Sequence, residues 1–296
     1  MPKLGPIACV TIASPDLERS LQLYREFLGY ECVAKGEISA ELSRLWSLPK
    51  LSGRRYALTL PEGQGSTYIR FVQSPPDAAY QAFRHMGWNA AEIMVQDTDA
   101  VAKRLEGSPF KVIGPPADLS FSDKIRAMQV LGPSNEALYL TSFKEKLPIF
   151  DTPHANHFVD RTFIVIVGGP SVAQLSTFYA RHLGVAHEPI LPAVVSVLSR
   201  AHGLPPDTLH DIAALKLSGQ SFIEADTMPA GTLPRESKNG ELPAAISMIS
   251  FGIDSLADTG LTFLSTPVQL EAPPYRGRRV ALCAGAGGEL IELIEG

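Results

Sequence analysis

Two acidic residues, Glu224 and Glu292, lie on short apolar stretches where a carboxyl group could do proton chemistry. Glu292 alternates with Leu290 and Ile294, so these side chains share one face if the stretch is a strand. If that face lines a cavity, desolvation raises the pKa of the carboxyl group, and a nearby second carboxyl raises one of the two further. Such an acid can move a proton next to a carbonyl. We predict both as catalytic residues. The alternatives are a backbone-bonded acid at Glu292 and a solvated strand-end acid at Glu224.

One histidine and one cysteine complete the list of residues that could act on a ligand. His210 follows His202 in a segment that joins a Leu-Pro turn to the start of a predicted strand, and we add His210 to the catalytic candidates. Cys9 is a candidate nucleophile, but no histidine lies near it in the sequence to activate it. A buried cysteine that fills apolar space is the better interpretation.

The composition excludes several classes of protein. The chain has 296 residues, 45% of them apolar, and a formal net charge of -5 from 26 basic and 31 acidic side chains. A nucleic-acid partner would need a concentrated basic patch. The three cysteines are too few for a disulfide framework, no apolar run is long enough to cross a bilayer, and the first residues lack a signal-peptide pattern. We expect a cytoplasmic protein with a small-molecule ligand and no nucleic-acid or membrane partner.

The chain repeats itself, which shows how these residues are positioned. The matching segments are YREFLG (24–29) with YARHLG (179–184), LSRLWSLP (42–49) with LSRAHGLP (198–205), and GPSNEALYL (132–140) with GAGGELIEL (285–293). Three matches in the same order at nearly constant spacing indicate a duplicated domain. We predict domains at 1–146 and 161–296, joined by a linker over 147–160 that contains two prolines.

Each half divides again into two similar modules. Apolar alternation predicts a first strand, the helical spacing of Leu17, Leu21, Tyr24 and Leu28 predicts a helix, and Gly29 ends that helix. Two further strands follow in each case. Their predicted ranges are 56–60, 68–72, 127–131, 137–141, 212–217, 222–225, 280–283 and 290–294. The unit is therefore one strand, one helix and two or three strands, used four times, with only a short helical piece near Leu256 in the last module.

Two opening segments, CVTIASPDLERSLQLYREFLGYE (9–31) and TFIVIVGGPSVAQLSTFYARHLGV (162–185), and the closing segment GGELIELIEG (287–296) carry a family resemblance. They resemble the vicinal oxygen chelate superfamily, which includes glyoxalases, bleomycin resistance proteins and extradiol dioxygenases. The resemblance covers the whole chain at the level of module order. It implies an α+β fold of four βαβββ modules paired into two cup-shaped mixed sheets. By analogy with two-domain dioxygenases, we expect modules 1 and 2 to form one cup and modules 3 and 4 a second cup that carries the chemistry. Because modules of this superfamily can also pair between chains, a homodimer is a further expectation.

The resemblance also indicates where metal ligands would stand. In the superfamily, the first and last strand of each module supply them, and they bind a divalent metal that the substrate chelates. In this sequence, those positions fall on Cys9, Arg70, Ala90 and Tyr139 in the first expected cup, and on Ile164, Glu224, Met248 and Glu292 in the second. Arginine stays protonated and cannot ligate a metal, and two carboxylates alone are a weak site. We expect no tightly held cofactor. If Fe, Zn, Ni or Mn is bound, Glu224 and Glu292 are its predicted ligands.

Five residues at or beside these positions are predicted to line a ligand site, and they are Ile164, Phe222, Met248, Arg70 and Tyr139. The guanidinium of Arg70 could clamp an anion together with Tyr139. The interpretation we favour for Arg70 is structural, with the side chain filling the first cup and pairing with Glu92.

Three functions fit this pattern, and the fold does not choose between them. The first, which we favour, is an enzyme without a tightly bound metal that catalyses proton transfer, as in an isomerase, epimerase or lyase, on an oxygenated or aromatic metabolite. The second is a protein that binds and sequesters an aromatic ligand. The third is a ring-cleaving dioxygenase or glyoxalase with unorthodox ligands such as Glu224, Glu292 and His210.

Overall fold

The computed structural model describes residues 3–120, 122–147 and 153–296. Within them the chain forms four βαβββ modules, as the repeats predict. Residues 148–152 of the predicted linker lie outside the described residues. The last two residues of the predicted linker, 159 and 160, belong to the first strand of module 3, which begins at Val159. Among the described helices, none has the length and apolar character needed to traverse a bilayer.

The first half contains modules 1 and 2. Module 1 comprises β1 (Leu4–Ser14), α1 (Leu17–Leu23) with a π-helical turn (Tyr24–Leu28), β2 (Tyr30–Glu37), α2 (Ala40–Leu45), a 3-10 turn (Pro49–Leu51), β3 (Arg55–Pro61) and β4 (Tyr68–Gln73). Module 2 comprises β5 (Gly87–Val95), α3 (Thr98–Arg104), β6 (Lys111–Leu119), β7 (Ser122–Leu131) and β8 (Ala137–Phe143).

The second half repeats this order. Module 3 comprises β9 (Val159–Gly169), α4 (Val172–Leu183), β10 (Leu191–Val194), α5 (Ser196–Ala201), β11 (Leu209–Lys216) and β12 (Phe222–Thr227). Module 4 comprises β13 (Ala245–Ile253), a 3-10 turn (Ala257–Thr259), β14 (Val268–Leu270), β15 (Arg278–Ala284) and β16 (Leu290–Glu295).

Helix ends follow the local sequence signals. The Asp16 and Ser171 side chains accept backbone N–H bonds in the first turns of α1 and α4, which satisfies donors that the helix leaves free. Gly29 and Gly184 adopt the left-handed conformation that ends each helical segment, with φ of 71° and 64°. The YREFLG and YARHLG repeats are therefore equivalent helix ends.

The modules pair differently from the sequence expectation. One eight-stranded sheet has the order β14-β15-β16-β13-β1-β4-β3-β2 and so joins modules 1 and 4, while the other has the order β10-β11-β12-β9-β5-β8-β7-β6 and joins modules 2 and 3. The expectation that modules 1 and 2 share one cup, and modules 3 and 4 the other, is wrong. The seams are the antiparallel pairs β1–β13 and β5–β9, which are formed by strands of opposite halves.

A continuous apolar core lies between the two sheets and also takes in the helices α1, α3 and α4. Val10 and Ile12 of β1 reach this core, as do Val165 and Val167 of β9. Because side chains alternate along a strand, the intervening residues of these strands face the opposite, cup side of each sheet. The cups therefore point away from the shared core.

Two equivalent tyrosine–carboxyl pairs fasten the sheets to each other. The Tyr24 hydroxyl of module 1 donates to Glu136 of module 2 over 2.7 Å, and the Tyr179 hydroxyl of module 3 donates to Glu289 of module 4 over 2.9 Å. All four residues are fully buried, and burial raises the pKa of both carboxyl groups to about 7. The repeated Tyr and Glu thus have a structural role that links modules of different sheets.

Candidate functional site

The sheet of modules 1 and 4 carries a cup that is filled, which we call the closed cup. Strand register places Arg70 of β4 beside Thr11 of β1, and Glu292 of β16 beside Ser250 of β13. Arg70 and Glu292 therefore face each other from opposite halves of the sheet, with Arg70 Nη2 lying 3.2 Å from Glu292 Oε2. Both side chains are buried, at 2% and 0% exposure.

Each polar atom of this ion pair has partners. Arg70 donates to the Thr11 hydroxyl from Nε and Nη2, at 3.0 and 2.8 Å, and to the Tyr275 hydroxyl over 2.6 Å. Glu292 Oε1 accepts from Trp46 Nε1 and from the Tyr275 hydroxyl, both at 2.8 Å, and Oε2 also accepts from the Ser250 hydroxyl. A buried ion pair is tolerated when its remaining hydrogen-bonding groups are satisfied in this way.

Apolar side chains fill the rest of the closed cup. Trp46, which follows α2, is buried and lies with its ring 4.7 Å from the Arg70 guanidinium carbon. It packs in one cluster with Met248, Tyr275 and Leu282, all of which are buried. A ligand would have to displace this cluster to reach Glu292.

This arrangement corrects several sequence predictions. Glu292 and Glu224 do not share a cavity, because Glu292 belongs to the sheet of modules 1 and 4 and Glu224 to the other sheet. Arg70 and Tyr139 are separated in the same way, so they cannot clamp one anion. Arg70 does fill a cup, but its partner is Glu292 and not Glu92.

Cys9 and Met248 lie in the closed cup and are fully buried. Burial raises the pKa of the Cys9 thiol to about 11. A thiol with such a pKa is protonated at neutral pH, so Cys9 behaves as the apolar filler that the sequence favours.

The sheet of modules 2 and 3 carries a cup that is only partly covered, which we call the open cup. One row across its four central strands consists of Phe222, Ile164, Glu92 and Tyr139, and the next row consists of Glu224, Ile166, Ala90 and Ala137. Asp226 follows one step further along β12, on the face it shares with Glu224. Glu224, Tyr139, Ile164 and Phe222 are all partly exposed.

All three carboxyl groups of the open cup have raised pKa values. Burial raises the pKa of both Glu92 and Asp226 to about 7. Burial also raises the pKa of Glu224 well above its usual range, and the charges of Asp226 and Glu92 raise it further. The pKa of Tyr139 is raised by burial and by the same three acids. Glu92 and Asp226, whose pKa values are about 7, can therefore both give and take protons near neutral pH.

Helix α5 covers one end of the open cup. Val197 and Leu198 pack against Ala90 and Ile166, and Arg200 donates to the Ile113 carbonyl on the edge strand β6. The helix thus bridges the mouth of the cup from β10 to β6.

The histidines after α5 border this covered end. His210 on β11 lies 2.8 Å from the Ser199 hydroxyl of α5, and burial together with the charge of His202 lowers its pKa. His202 turns away from the cup. Its Nδ1 lies 3.1 Å from Arg84 Nη1, and its Nε2 lies 2.9 Å from the Phe83 carbonyl.

The structure therefore brings together only part of the predicted site. Glu224, His210, Ile164, Phe222 and Tyr139 belong to the open cup, whereas Glu292, Arg70 and Met248 belong to the closed one. Sequence reasoning did not select Glu92 and Asp226. Asp226 alternates with Glu224 on one strand, a visible signal, but Glu92 joins them only because β5 pairs with β9.

The residues of the two cups do not match a divalent metal centre. The closed cup holds a guanidinium where a ligand would stand. Across the described ranges, no group of three or more His, Cys, Asp or Glu side chains has the placement to hold a metal ion. The prediction that Glu224 and Glu292 bind one metal ion together is wrong, since these residues lie in different cups.

A polar cavity of about 430 Å³ lies elsewhere, between the β3–β4 turn and residues 154–161. Its charged side chains have compensating partners, since His157 Nδ1 is 3.1 Å from Glu62 and Arg161 is 3.7 Å from Asp160. Among the described residues, the open cup holds three neighbouring acids with raised pKa values and no ion-pair partner, and it is therefore the candidate site.

Solved structures show the same architecture. Glyoxalase I from Zea mays matches with a TM-score of 0.65 and 13% identity, covering 100% of this chain and 92% of that one. A putative dioxygenase from Bacillus subtilis matches with a TM-score of 0.62 and 13% identity, covering 99% of this chain and 86% of that one. Neither a family model nor a curated protein matches the sequence. At this identity, the likeness establishes the fold.

Proposed function

The chain has the vicinal oxygen chelate fold, and from that premise we propose that its open cup binds a small oxygenated or aromatic molecule and transfers a proton on it. The observation that carries the proposal is Glu224, a partly exposed carboxyl group whose pKa is raised by burial and by two neighbouring acids. Chemistry of the isomerase, epimerase or lyase type through an enol requires such a group next to a carbonyl.

Two residues divide the proton transfer. The pKa of Glu224 is raised by burial and by the charges of Asp226 and Glu92, so we assign Glu224 as the acid that donates a proton to the carbonyl oxygen of the ligand. Glu92, with a pKa of about 7, accepts the proton from the adjacent carbon. A general base is most effective when its pKa lies near the working pH. Phe222 and Ile164 form the apolar wall beside Glu92.

His210 has a smaller part in this proposal. Its lowered pKa keeps the imidazole neutral at pH 7, and its contact is the Ser199 hydroxyl. It can relay a proton only through that hydroxyl. His210→Gln is therefore expected to slow the reaction less than Glu224→Gln.

Exchange of carbon-bound hydrogen tests the proposal directly. A panel of small aromatic ketones and keto acids is incubated with the protein in D2O, and loss of the proton next to the carbonyl is followed by NMR. We expect exchange that falls about 100-fold or more in Glu224→Gln and in Glu92→Gln, the usual size of a general acid or base contribution. Asp211→Asn, an exposed acid of β11, is the matched control and should exchange as the parent does.

Binding without exchange would favour the second candidate function, a protein that sequesters its ligand. The aromatic side chains Phe222 and Tyr139 in the open cup are the observation that supports it. Exchange that persists unchanged in Glu224→Gln would contradict the proton-transfer proposal.

A further inference from the structure

Unlike Glu292, which pairs with Arg70, the three acids of the open cup have no basic partner in the described part of the chain. Within the described residues, none of Glu92, Glu224 and Asp226 takes part in an ion pair with a basic side chain. The ion pairs of the described residues involve other acids throughout. Three neighbouring carboxyl groups of one sign therefore face the cup without compensation.

Asp226 adds an independent sign of a missing partner. It is 5% exposed, and its Oδ1 is buried with no hydrogen-bond donor. Glu136 and Glu289, by contrast, each accept from a tyrosine and from a backbone N–H. An unsatisfied buried acceptor is costly, so native structures rarely keep one without a reason.

The walls next to these acids are aromatic and apolar. Phe222 and Tyr139 stand at the two ends of the row that contains Glu92, and both are partly exposed. Aromatic faces attract cations through their quadrupole, and they also accept an apolar body by stacking. The acids deeper in the cup thus favour a cationic group of a ligand, and the rings of this row favour its aromatic or apolar body.

We propose that the ligand of the open cup carries a protonated amine, which lies against Asp226 and Glu224, next to an aromatic or apolar body between Phe222 and Tyr139. The inference rests on the proposed function in that it takes the open cup as the ligand site. An ammonium group supplies a positive charge and three N–H donors, which the acids lack. Charge-assisted hydrogen bonds of this kind are among the strong ones.

The titration of the cup agrees with this occupant. Burial raises the pKa of Asp226 to about 7, so the carboxyl group is only partly ionised when no cation is near. A bound ammonium stabilises the carboxylate and lowers that pKa. Amine binding should therefore be stronger at pH 8 than at pH 6. The titratable groups that face the cup are the three acids, Tyr139, the neighbouring His210 and Lys216, which lies beside Phe222 and pairs with Glu188.

Benzylamine and benzyl alcohol form a matched pair of probes, because they differ only in the charged amine. Calorimetric titration at pH 8 should show benzylamine binding at least tenfold more tightly. Asp226→Asn should remove most of that preference while leaving the affinity for benzyl alcohol unchanged, and Asp211→Asn should leave both affinities unchanged. Equal affinity for the two probes, or an equal loss of both in Asp226→Asn, would overturn the proposal.

A metal ion is the other cation that three acids could attract. Titration with Zn²⁺ or Mn²⁺ alone is therefore run on the same variants. Tight metal binding that Asp226→Asn abolishes, without any preference for benzylamine, would also overturn the amine assignment.

The two proposals can fail separately. If ketone exchange depends on Glu224 but benzylamine shows no preference, only the amine inference is lost. If the amine preference holds without any exchange, the cup is a binding site and the proton-transfer proposal is lost. If neither probe binds and no ketone exchanges, the open cup is not the ligand site and both proposals fall.

Discussion

The closed and open cups are built from the same modules, yet equivalent positions hold different chemistry. Arg70 and Glu292 in the closed cup correspond to Glu224 and Tyr139 in the open cup by strand register. Ser250 corresponds in the same way to Glu92. Opposite charges thus face each other in one cup, whereas like charges meet in the other.

The helices that cover the cups differ at one equivalent position. Trp46 follows α2 and inserts into the closed cup, where its indole N–H donates to Glu292. His202 follows α5 and turns instead to Arg84 and the Phe83 carbonyl. The closed cup is therefore sealed by a large ring, whereas the open cup keeps partly exposed residues such as Glu224 and Tyr139.

A duplicated scaffold can thus separate stability from binding. The closed cup satisfies its charges internally and contributes a packed cluster, whereas the open cup keeps three acids without cationic partners. Uncompensated acids cost stability, and such a cost persists where a function requires it. The variants below test this division.

The largest effect is expected from breaking the ion pair of the closed cup. Arg70→Met leaves Glu292 buried without its cation and should lower the free energy of unfolding by about 3–5 kcal/mol. Urea denaturation at pH 7 measures it. Glu224→Gln, at the equivalent position of the open cup, is the matched comparison and should cost less than about 1 kcal/mol.

The double variant Arg70→Met/Glu292→Gln checks the cause. An amide keeps acceptors for Trp46 and Tyr275 without a buried charge, so at least half of the lost stability should return. A double variant as unstable as Arg70→Met would mean that packing, and not the uncompensated charge, dominates.

A smaller and pH-dependent effect is expected from the open cup. The folded-state pKa of Asp226 is about 7, above the usual value for an aspartic acid, because of burial. The native state therefore holds a proton that the unfolded state has released, and stability falls as pH rises from about 4 through 7. Asp226→Asn removes this loss. It should raise the free energy of unfolding by about 1–3 kcal/mol at pH 8 and by much less at pH 4.5.

Urea denaturation of parent and variant across pH 4.5–8 measures this difference. Glu136 and Glu289 also lower the stability as pH rises, and they do so equally in the parent and in Asp226→Asn. Only the difference in unfolding free energy between parent and variant is therefore informative. A difference that does not grow with pH would show that Asp226 is already ionised in the fold.

Much of the fold could be predicted from the sequence because the repeats mark equivalent helix ends and turns. The strands that pattern reasoning did not locate are β2, β6, β10 and β14, and these are the four edge strands of the two sheets. Edge strands are exposed on more than one side, so apolar alternation is weak in them. The resemblance indicated four modules, and the solved structures confirm the fold.

Which modules pair could not be predicted from the sequence. The first strands β1, β5, β9 and β13 are all largely buried and rich in apolar residues, so they could pair in more than one combination. Because β1 pairs with β13, Arg70 meets Glu292, and because β5 pairs with β9, Glu92 meets Glu224. The candidate site therefore depends on which modules pair, and no local sequence motif determines that pairing.

The smallest effect on stability, but a decisive one on binding, is expected from exchanging the covering residue of the open cup. His202→Trp introduces at the end of α5 the ring that seals the closed cup at Trp46. The ring should enlarge the apolar cluster of Phe83, Val197 and Leu198 over this end of the cup and so narrow the access to Glu224. We expect benzylamine affinity to fall at least tenfold, with a change in unfolding free energy within about 1 kcal/mol.

His202→Gln controls for the loss of the contacts to Arg84 and the Phe83 carbonyl without adding a ring. Calorimetric titration of the two variants separates the causes. Weaker binding in His202→Trp alone means that an aromatic ring at this position closes a cup. An equal loss of benzylamine affinity in both variants would instead show that the contact between His202 and Arg84 is what keeps the cup open.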